Sequence, residues 1–191
     1  MGKLILISGE NDSGKSVFAE NLLAKCRGKH YYIATMIPKT EDNFVRIEKH
    51  KKQRAGLGYV TLELPYSLTE QFIEPDSVLL LEDVSNLLAN NIFDKNKTVE
   101  EVFADILSLA KKSKVLVAVT ISGLQNCGYD EETAMYINSI NEINRKLYDE
   151  ALVAITMENG KPVYEKGEGY DIYCISYGSF INIQHYSNAK L

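Results

Sequence analysis

The chain carries Gly9-Glu10-Asn11-Asp12-Ser13-Gly14-Lys15-Ser16 near its start, with the spacing of a phosphate-binding loop: glycine, four residues, then Gly-Lys-Ser. Glycines let the backbone form a concave nest whose N–H groups point at phosphate oxygens. In such a loop the lysine reaches the β- and γ-phosphates, and the serine hydroxyl can bind Mg²⁺. We therefore predict that residues 9–16, here called the P-loop, bind a nucleotide and that Lys15 also takes part in catalysis.

The flanks of the P-loop support this interpretation. It is preceded by Lys3-Leu4-Ile5-Leu6-Ile7-Ser8, an apolar run of strand length. In the residues after it, 17–25, Phe18 and Leu22 stand at helical spacing. A strand, a loop and a helix in this order are the expected context, because the helix N-terminus adds its dipole to the phosphate site. The alternative is a chance match in a glycine-containing turn.

Predicted strands and helices alternate along the rest of the chain. Residues 77–81 and 115–119 are apolar almost throughout, as strands buried on both faces of a parallel sheet require. Asn159-Gly160 is typical of a hairpin turn. We predict an α/β fold with a mainly parallel sheet and a C-terminal hairpin, in one domain spanning residues 1–191. The predicted strands cover 3–8, 30–35, 59–62, 77–81, 115–119, 151–157 and 162–164, and the predicted helices cover 17–25, 41–54, 84–93, 98–112 and 130–149.

Composition excludes some classes of partner. The chain has 191 residues, 45% of them hydrophobic, and a net charge of -5, so no global basic field indicates nucleic acid. No apolar run approaches the roughly 20 residues of a membrane span. Cys26, Cys127 and Cys174 lie far apart without metal-ligand spacing, so we expect reduced thiols in a cytoplasmic protein.

Two acidic residues, Glu82 and Asp83, directly follow the strand predicted at 77–81. Ligands of open α/β sheets bind at the carboxyl ends of the strands, and an acid beside a P-loop is where Mg²⁺ or its water shell is held. The predicted metal ligands are therefore Ser16 together with Glu82, Asp83 or both. The alternative for Asp83 is an N-cap of the following helix.

The helix predicted at 41–54 has an unusual cationic face. Arg46, His50 and Arg54 are spaced i, i+4, i+8 and share that face, with further lysines around them. Like charges at this spacing repel, so a face directed at polyphosphate would explain the pattern better than helix stability does. Neighbouring cations disfavour a protonated imidazole, which makes His50 a candidate nucleophile toward phosphorus. The alternative is a solvated helix face with a lone histidine.

Taken in order, these motifs resemble the bifunctional adenosylcobinamide kinase / adenosylcobinamide-phosphate guanylyltransferase family of cobalamin biosynthesis. The most specific part is Arg-Ile-x-x-His-x-x-x-Arg at residues 46–54, and the resemblance runs over residues 3–165. It is carried by the P-loop, Tyr32-Ile33-Ala34-Thr35, the 46–54 segment, Thr61, Glu63, Pro65 and residues 78–90.

The resemblance implies a RecA-like P-loop fold, a homo-oligomer that is a trimer in the family, and two activities. The family phosphorylates the hydroxyl of the aminopropanol arm of adenosylcobinamide, using a nucleoside triphosphate. It then transfers GMP from GTP to that phosphate through a guanylylated histidine, whose position is occupied here by His50. The implied requirements are GTP or ATP, Mg²⁺ near Glu82 and a corrinoid substrate. The residues implied at the nucleotide are Gly9, Glu10, Asn11, Asp12, Ser13, Gly14, Lys15, Ser16, Arg46, Arg54 and Glu63.

Two segments depart from the family pattern. The family usually has Val-Ser/Thr-Asn-Glu-Val-Gly after its fifth strand, where this chain has Val119-Thr120-Ile121-Ser122-Gly123. The tail from about residue 166 is rich in aromatics, and the pattern at 172–183 suits an extra strand or hairpin. Two alternatives therefore stay open: a P-loop kinase for another small molecule, and a nucleotide-binding regulatory protein without turnover.

Overall fold

The computed structural model describes residues 3–167, apart from the side chains of Arg46 and Gln53. Seven strands form one sheet in the order β3-β2-β4-β5-β1-β6-β7. Six of them run parallel, and only β7 is antiparallel to its neighbour β6. The strands are β1 (Lys3–Gly9), β2 (His30–Ala34), β3 (Tyr59–Glu63), β4 (Val78–Glu82), β5 (Val115–Val119), β6 (Val153–Glu158) and β7 (Lys161–Lys166).

Helices cover both faces of the sheet. Each connects parallel strands, as crossover connections must. Buried residues of α1 pack with one face of the sheet, and buried residues of α3, α4 and α5 pack with the other. The helices are α1 (Lys15–Leu23), α2 (Glu41–Arg54), α3 (Val84–Lys95), α4 (Val99–Lys112) and α5 (Glu131–Glu150).

The central strands β4 and β5 are buried along their whole length, which explains why their sequences show no apolar–polar alternation. Strand β5 lies between β1, which leads into the P-loop, and β4, which ends in the acidic pair. A strand inserted between these two is the arrangement of a RecA-like P-loop fold, so the predicted fold class is confirmed. The carboxyl ends of the parallel strands meet at one edge of the sheet.

The predicted C-terminal hairpin is also confirmed. Asn159 and Gly160 both have positive φ, at 50° and 76°. A two-residue turn between hairpin strands favours this conformation at both of its residues.

Several predicted boundaries differ by two residues. Helix α1 covers Lys15–Leu23 rather than 17–25, α3 continues to Lys95, β6 begins at Val153 rather than at residue 151, and β7 continues to Lys166. The other boundaries agree to within one residue. The strand or hairpin predicted at 172–183 lies outside the described residues, as does Cys174.

The cysteines and the absence of a membrane span were also predicted from the sequence, and both can be compared with the described residues. Cys26 is buried and Cys127 is exposed, and both are free thiols. Within residues 3–167 no helix is long and apolar enough to cross a bilayer.

Candidate nucleotide-binding site

The P-loop connects β1 to α1 with the geometry its glycines allow. Gly14 is the N-cap of α1 with φ 87°, a left-handed conformation that favours glycine. A Cβ at Gly9 would come within 2.8 Å of both the Met157 carbonyl oxygen and Ser13 Oγ, so a side chain there has no room. The loop therefore presents its backbone at the positive end of the α1 dipole, where a phosphate is stabilised.

Lys15 lies at the start of α1 and reaches back over the loop. Its Nζ donates to the carbonyl oxygens of Gly9, at 3.0 Å, and Glu10. These carbonyls keep the ammonium group beside the concave backbone, which is where it must be to meet phosphate oxygens.

Ser16 links the P-loop to the acidic end of β4. Its hydroxyl donates to Glu82 Oε1 at 2.6 Å, and Glu82 is 8% exposed. Asp83 also caps a helix, because its Oδ1 accepts from Asn86 N–H and from Ser85 Oγ, both at 2.6 Å. Asp83 is thus the N-cap of α3, the alternative raised from the sequence.

The oxygen pair of Ser16 and Glu82 suits Mg²⁺, which binds through one or two carboxylates plus the phosphates of its substrate. Within residues 3–167 no three His, Cys, Asp or Glu side chains are grouped to hold a metal ion. A metal ion here would therefore take its remaining ligands from a nucleotide and from water. The residues present fit Mg²⁺ bound together with nucleotide.

Two polar residues fasten the strand ends that form the site. Thr35 Oγ1 accepts from Asp83 N–H at 2.8 Å and lies 3.0 Å from the carbonyl oxygen of Glu82. Asn90 Nδ2 donates to the carbonyl oxygens of Thr35, at 2.8 Å, and Pro65, at 3.0 Å. The ends of β2, β3 and β4 are tied together in this way. Sequence reasoning missed Asn90, because nothing local distinguishes a buried asparagine from a surface one.

A cavity of about 290 Å³ lies between α2 and the ends of β2, β3 and β4. It brings together residues that are far apart in sequence. The sequence-predicted site residues that line it are His50, Arg54, Glu63, Glu82 and Asp83. Because Glu82 is bonded to Ser16, this cavity, here called the His50 cavity, is adjacent to the P-loop.

The cationic face of α2 is only partly solvated. Its lysines at 49, 51 and 52 are exposed, His50 is half-buried, and Arg54 is 7% exposed. The guanidinium carbon of Arg54 lies 3.3 Å from the ring centroid of Tyr32 on β2. The solvated-face alternative therefore holds for the lysines and fails for Arg54. The side chain of Arg46 lies outside the described part of α2.

Tyr32 and Arg54 form a stack that sequence reasoning did not find. Burial, with Glu82 adding to it, raises the pKa of Tyr32 well above its ordinary value, so the phenol stays neutral. A neutral aromatic face is what a guanidinium group prefers to stack on. Arg54 Nη1 is buried and has no hydrogen-bond partner among the described residues, which leaves one donor of a cavity-lining cation for an anionic ligand.

A second cavity, of about 580 Å³, lies on the other side of the P-loop. Its walls are P-loop residues 9–13, Ser122 and Gly123 after β5, and residues 156–160 of the β6–β7 hairpin. Ser122 N–H donates to the carbonyl oxygen of Gly9 at 3.1 Å. Gly9, Glu10, Asn11, Asp12 and Ser13 of the predicted nucleotide site thus line a cavity. The hairpin forms one wall of this cavity, a role that its sequence did not indicate.

The segment that departs from the family pattern is anchored by α5. Thr120 Oγ1 donates to Asn144 Oδ1 at 2.7 Å, and Asn144 Nδ2 donates to the carbonyl oxygen of Ile121 at 2.8 Å. These bonds give the chain after β5 a fixed course beside the P-loop.

The fold is similar to those of several solved proteins. A KaiC-like protein from Pyrococcus horikoshii OT3 is 14% identical with a TM-score of 0.46, over 88% of this chain and 80% of that chain. A second protein from Pyrococcus horikoshii OT3 is 11% identical with a TM-score of 0.48, over 96% and 93%. An ATPase of the type III secretion system of pathogenic bacteria is 9% identical with a TM-score of 0.44, over 92% and 61%.

No curated protein matches the sequence. A family model does match it, over residues 5–164 and so over most of the chain. That range contains the P-loop, the acidic end of β4 and the whole of α2. The chain belongs to the cobinamide kinase / cobinamide phosphate guanyltransferase family.

Proposed function

We propose that this protein phosphorylates adenosylcobinamide with a nucleoside triphosphate and then transfers GMP to the product through a guanylylated His50. One observation carries the proposal. His50, Arg54 and Glu82 line a single cavity, and Glu82 accepts a hydrogen bond from Ser16 of the P-loop. The proposed nucleophile, a cation and the proposed metal ligand therefore lie beside the P-loop.

In the kinase step, the P-loop amides and Lys15 hold the β- and γ-phosphates of the nucleotide. The hydroxyl of the aminopropanol arm attacks the γ-phosphorus, the bond to the β-phosphate oxygen breaks, and a nucleoside diphosphate leaves. The hydroxyl proton is released as the phosphate ester forms. The protein contributes positioning and charge, which dominate phosphoryl transfer.

In the transfer step, a neutral nitrogen of His50 attacks the α-phosphorus of GTP. The bond from this phosphorus to the β-phosphate breaks, and pyrophosphate is the leaving group, held by the P-loop. The phosphate of the corrinoid then attacks the same phosphorus, the phosphorus–nitrogen bond breaks, and His50 is restored. Two displacements replace one reaction between two anions. Arg54 neutralises charge on the phosphates with the guanidinium group that Tyr32 supports.

Mg²⁺ would be held by Ser16 and Glu82, with Asp83 as the helix cap beside them. When bound, the ion neutralises charge on the phosphates. The base preference for GTP over ATP in the transfer step comes from the family alone.

The His50 cavity supports a division of the two substrates. At about 290 Å³ it lies just below the roughly 300–1,000 Å³ typical of small-molecule sites. This suits a mononucleotide, whereas a corrin macrocycle is much larger. We therefore propose that only the aminopropanol arm enters the site, with the macrocycle outside it. A homo-oligomer, a trimer by resemblance, remains a prediction for a solution mass measurement.

Covalent labelling tests the histidine. The protein is incubated with Mg²⁺ and α-phosphate-labelled GTP and is then denatured. We expect an adduct that is acid-labile and base-stable, that is absent from His50→Ala and that remains in His30→Ala. His30 is a suitable control because its Nε2 lies 3.0 Å from the Leu23 carbonyl oxygen, outside the cavity.

Absence of label with intact nucleotide binding would contradict the transferase half. It would favour a P-loop kinase for another small molecule, the candidate that Ile121-Ser122-Gly123 supports by standing where the family has Asn-Glu. Absence of any phosphoryl transfer would favour the nucleotide-binding regulatory protein instead.

A further inference from the structure

Helix α1 carries a buried carboxylate that the proposed chemistry does not use. Glu20 is 3% exposed and lies on the same helix as Lys15 and Ser16 of the P-loop. It stands four residues after Ser16, so the two side chains share one face of the helix. Because Ser16 donates to Glu82 at the end of β4, Glu20 faces the sheet one turn further along α1. Burying a carboxylate is unfavourable unless an opposite charge or hydrogen-bond donors stabilise it.

Two tyrosine rings lie on the face of the sheet that α1 covers. Tyr32 of β2 and Tyr59 of β3 are in edge contact, with their ring centroids 6.5 Å apart. They pack in one apolar cluster with Ala19 and Leu23, which lie on either side of Glu20 in the sequence of α1. Burial raises the pKa of both phenols, and the Glu20 carboxylate adds to this effect at each ring. Glu20 therefore lies within electrostatic reach of both tyrosines.

The opposite charge at these rings belongs to Arg54 of α2. Its guanidinium carbon lies 3.3 Å from the Tyr32 ring centroid, and the side chain is 7% exposed. Beside the dominant effect of burial, the Arg54 charge acts on both phenols in the opposite direction to Glu20 and lowers their pKa. Glu20 and Arg54 thus reach the same two rings from different helices. A guanidinium group stays protonated in proteins, so a buried one needs a negative charge in its surroundings.

Glu82 is a second buried carboxylate in this region, but it has other partners. Its Oε1 accepts from Ser16 at 2.6 Å, and it is the proposed ligand of Mg²⁺. A cation bound there would offset the charge of Glu82, which would then do less for Arg54. Glu20 lines neither cavity, so a bound nucleotide or metal ion would not occupy its carboxylate.

We propose that Glu20 is a positioning residue whose buried carboxylate holds the Arg54 guanidinium group against Tyr32, with Nη1 left to bind the phosphates of the ligand. Arg54 Nη1 is buried and has no hydrogen-bond partner among the described residues, as this role requires. The inference rests on the proposed function, in which Arg54 neutralises charge on the phosphates. Since Ser16 and Glu20 belong to one helix, it also couples the P-loop to the end of α2.

The test is the affinity for pyrophosphate with Mg²⁺, measured by titration calorimetry, because this binding needs neither turnover nor a covalent step. Glu20→Gln removes a negative charge, which by itself would strengthen the binding of an anion. The proposal predicts the opposite sign. Binding should weaken by about tenfold, the effect of losing one hydrogen bond from a charged group. Glu20→Asp keeps the carboxylate and should recover most of the affinity.

Glu74→Gln is the matched control. Glu74 also approaches a cation and a tyrosine of β2, since its Oε1 lies 2.7 Å from Lys29 Nζ and 3.4 Å from Tyr31 Oη. It lines neither cavity, so the same chemical change there should not weaken pyrophosphate binding. Equal affinities of Glu20→Gln and Glu74→Gln would overturn the inference.

A double-variant cycle separates positioning from a general loss of structure. Arg54→Met should weaken binding by itself, and adding Glu20→Gln should weaken it no further, because no guanidinium group remains to be positioned. An equal loss from Glu20→Gln with and without Arg54 would overturn the inference. If Glu20→Gln alone does not fold, the double variant should, since both buried charges are removed together. Its affinity should equal that of Arg54→Met, and a lower affinity would contradict the positioning role.

The two proposals fail separately. If no label forms on His50 but Glu20→Gln weakens pyrophosphate binding, the positioning role stands and the covalent step is wrong. If label forms on His50 and Glu20→Gln binds pyrophosphate as the wild type does, the covalent step stands and other groups hold Arg54 in place.

Discussion

The adjacent carboxylates at the end of β4 have different surroundings, and we propose that they have different roles. Asp83 uses one oxygen to accept two hydrogen bonds at the start of α3, so its geometry matters more than its charge. Glu82 is buried, lines the His50 cavity and touches Ser16, so its charge lies where a phosphate-bound cation would be. This proposed division into a metal ligand, Glu82, and a helix cap, Asp83, can be tested with isosteric amides.

We predict that Glu82→Gln lowers phosphoryl transfer by about 100-fold or more, because the amide keeps an acceptor for Ser16 but lacks the charge that attracts Mg²⁺. Asp83→Asn should stay within about threefold of wild type, since asparagine is as good an N-cap as aspartate. The measurement is kcat at saturating nucleotide over a range of Mg²⁺ concentrations. Equal losses in the two variants would contradict this division of roles.

Local motifs made part of the site predictable from sequence. The P-loop is contiguous, and an acid after a buried strand needs only the topology rule for parallel sheets. The stack of Arg54 on Tyr32 joins residues 22 positions apart on different elements, and no periodicity reports such a contact. Asn90 was missed for the same reason, because its partners Thr35 and Pro65 are distant in sequence.

Among the helices and strands, sequence-based prediction was most accurate for those that are most deeply buried. Fully apolar runs gave β4 and β5, and the amphipathic period gave α5 with Ile140, Ile143 and Leu147 buried. The predicted ends of helices were less accurate where a capping residue outside the apolar pattern sets the end. Asn96, with φ 52°, ends α3 two residues beyond the last predicted position. The order of strands was not predictable, because pairing depends on contacts between whole elements.

Helix α4 begins with a capping box whose contribution can be measured. Thr98 Oγ1 accepts from Glu101 N–H at 3.3 Å, and Glu101 Oε2 accepts from Thr98 N–H at 2.8 Å. We predict that Thr98→Ala lowers the free energy of unfolding by about 1 kcal/mol, because a backbone donor loses its partner. Urea denaturation followed by circular dichroism gives the value.

Thr98→Ser supplies the control for the capping box, since it keeps the hydroxyl and should unfold as the wild type does. The Thr98 N–H and hydroxyl groups both donate to Glu101 Oε2, and these two bonds lower the pKa of the exposed Glu101 carboxyl. Their stabilisation is present above the unfolded-state pKa and is lost as the pH falls through the folded-state pKa. The Thr98→Ala effect should therefore be smaller at strongly acidic pH than at neutral pH. An identical effect would show that the bond from the Thr98 hydroxyl to the Glu101 carboxylate contributes nothing to it.

The whole molecule places its chemistry at one edge of a single sheet. Strands β1, β2, β3 and β4 all end there, so the P-loop, Glu82 and the two cavities are neighbours although residues from 9 to 160 contribute. Ligand binding at this edge contacts several elements of one cooperative sheet. Nucleotide binding should therefore be visible as a change in the stability of the whole protein.

We predict that pyrophosphate with Mg²⁺, at 100 times its dissociation constant, raises the free energy of unfolding by about 2.7 kcal/mol. The P-loop binds the ligand only when folded, because its nest of N–H groups exists only then. If Lys15→Ala weakens binding by about 100-fold, the same ligand concentration should stabilise that variant by only about 0.4 kcal/mol. Urea unfolding with and without ligand measures both numbers.

His50→Ala completes this experiment, because His50 lines the cavity next to the P-loop but is not part of the loop. Its stabilisation by pyrophosphate should match that of the wild type, while its labelling by GTP is lost. Such a result would separate holding the phosphates from attacking them. If His50→Ala lost the stabilisation as fully as Lys15→Ala does, the histidine would be part of the phosphate-binding surface, and its proposed role as a nucleophile would lose its support.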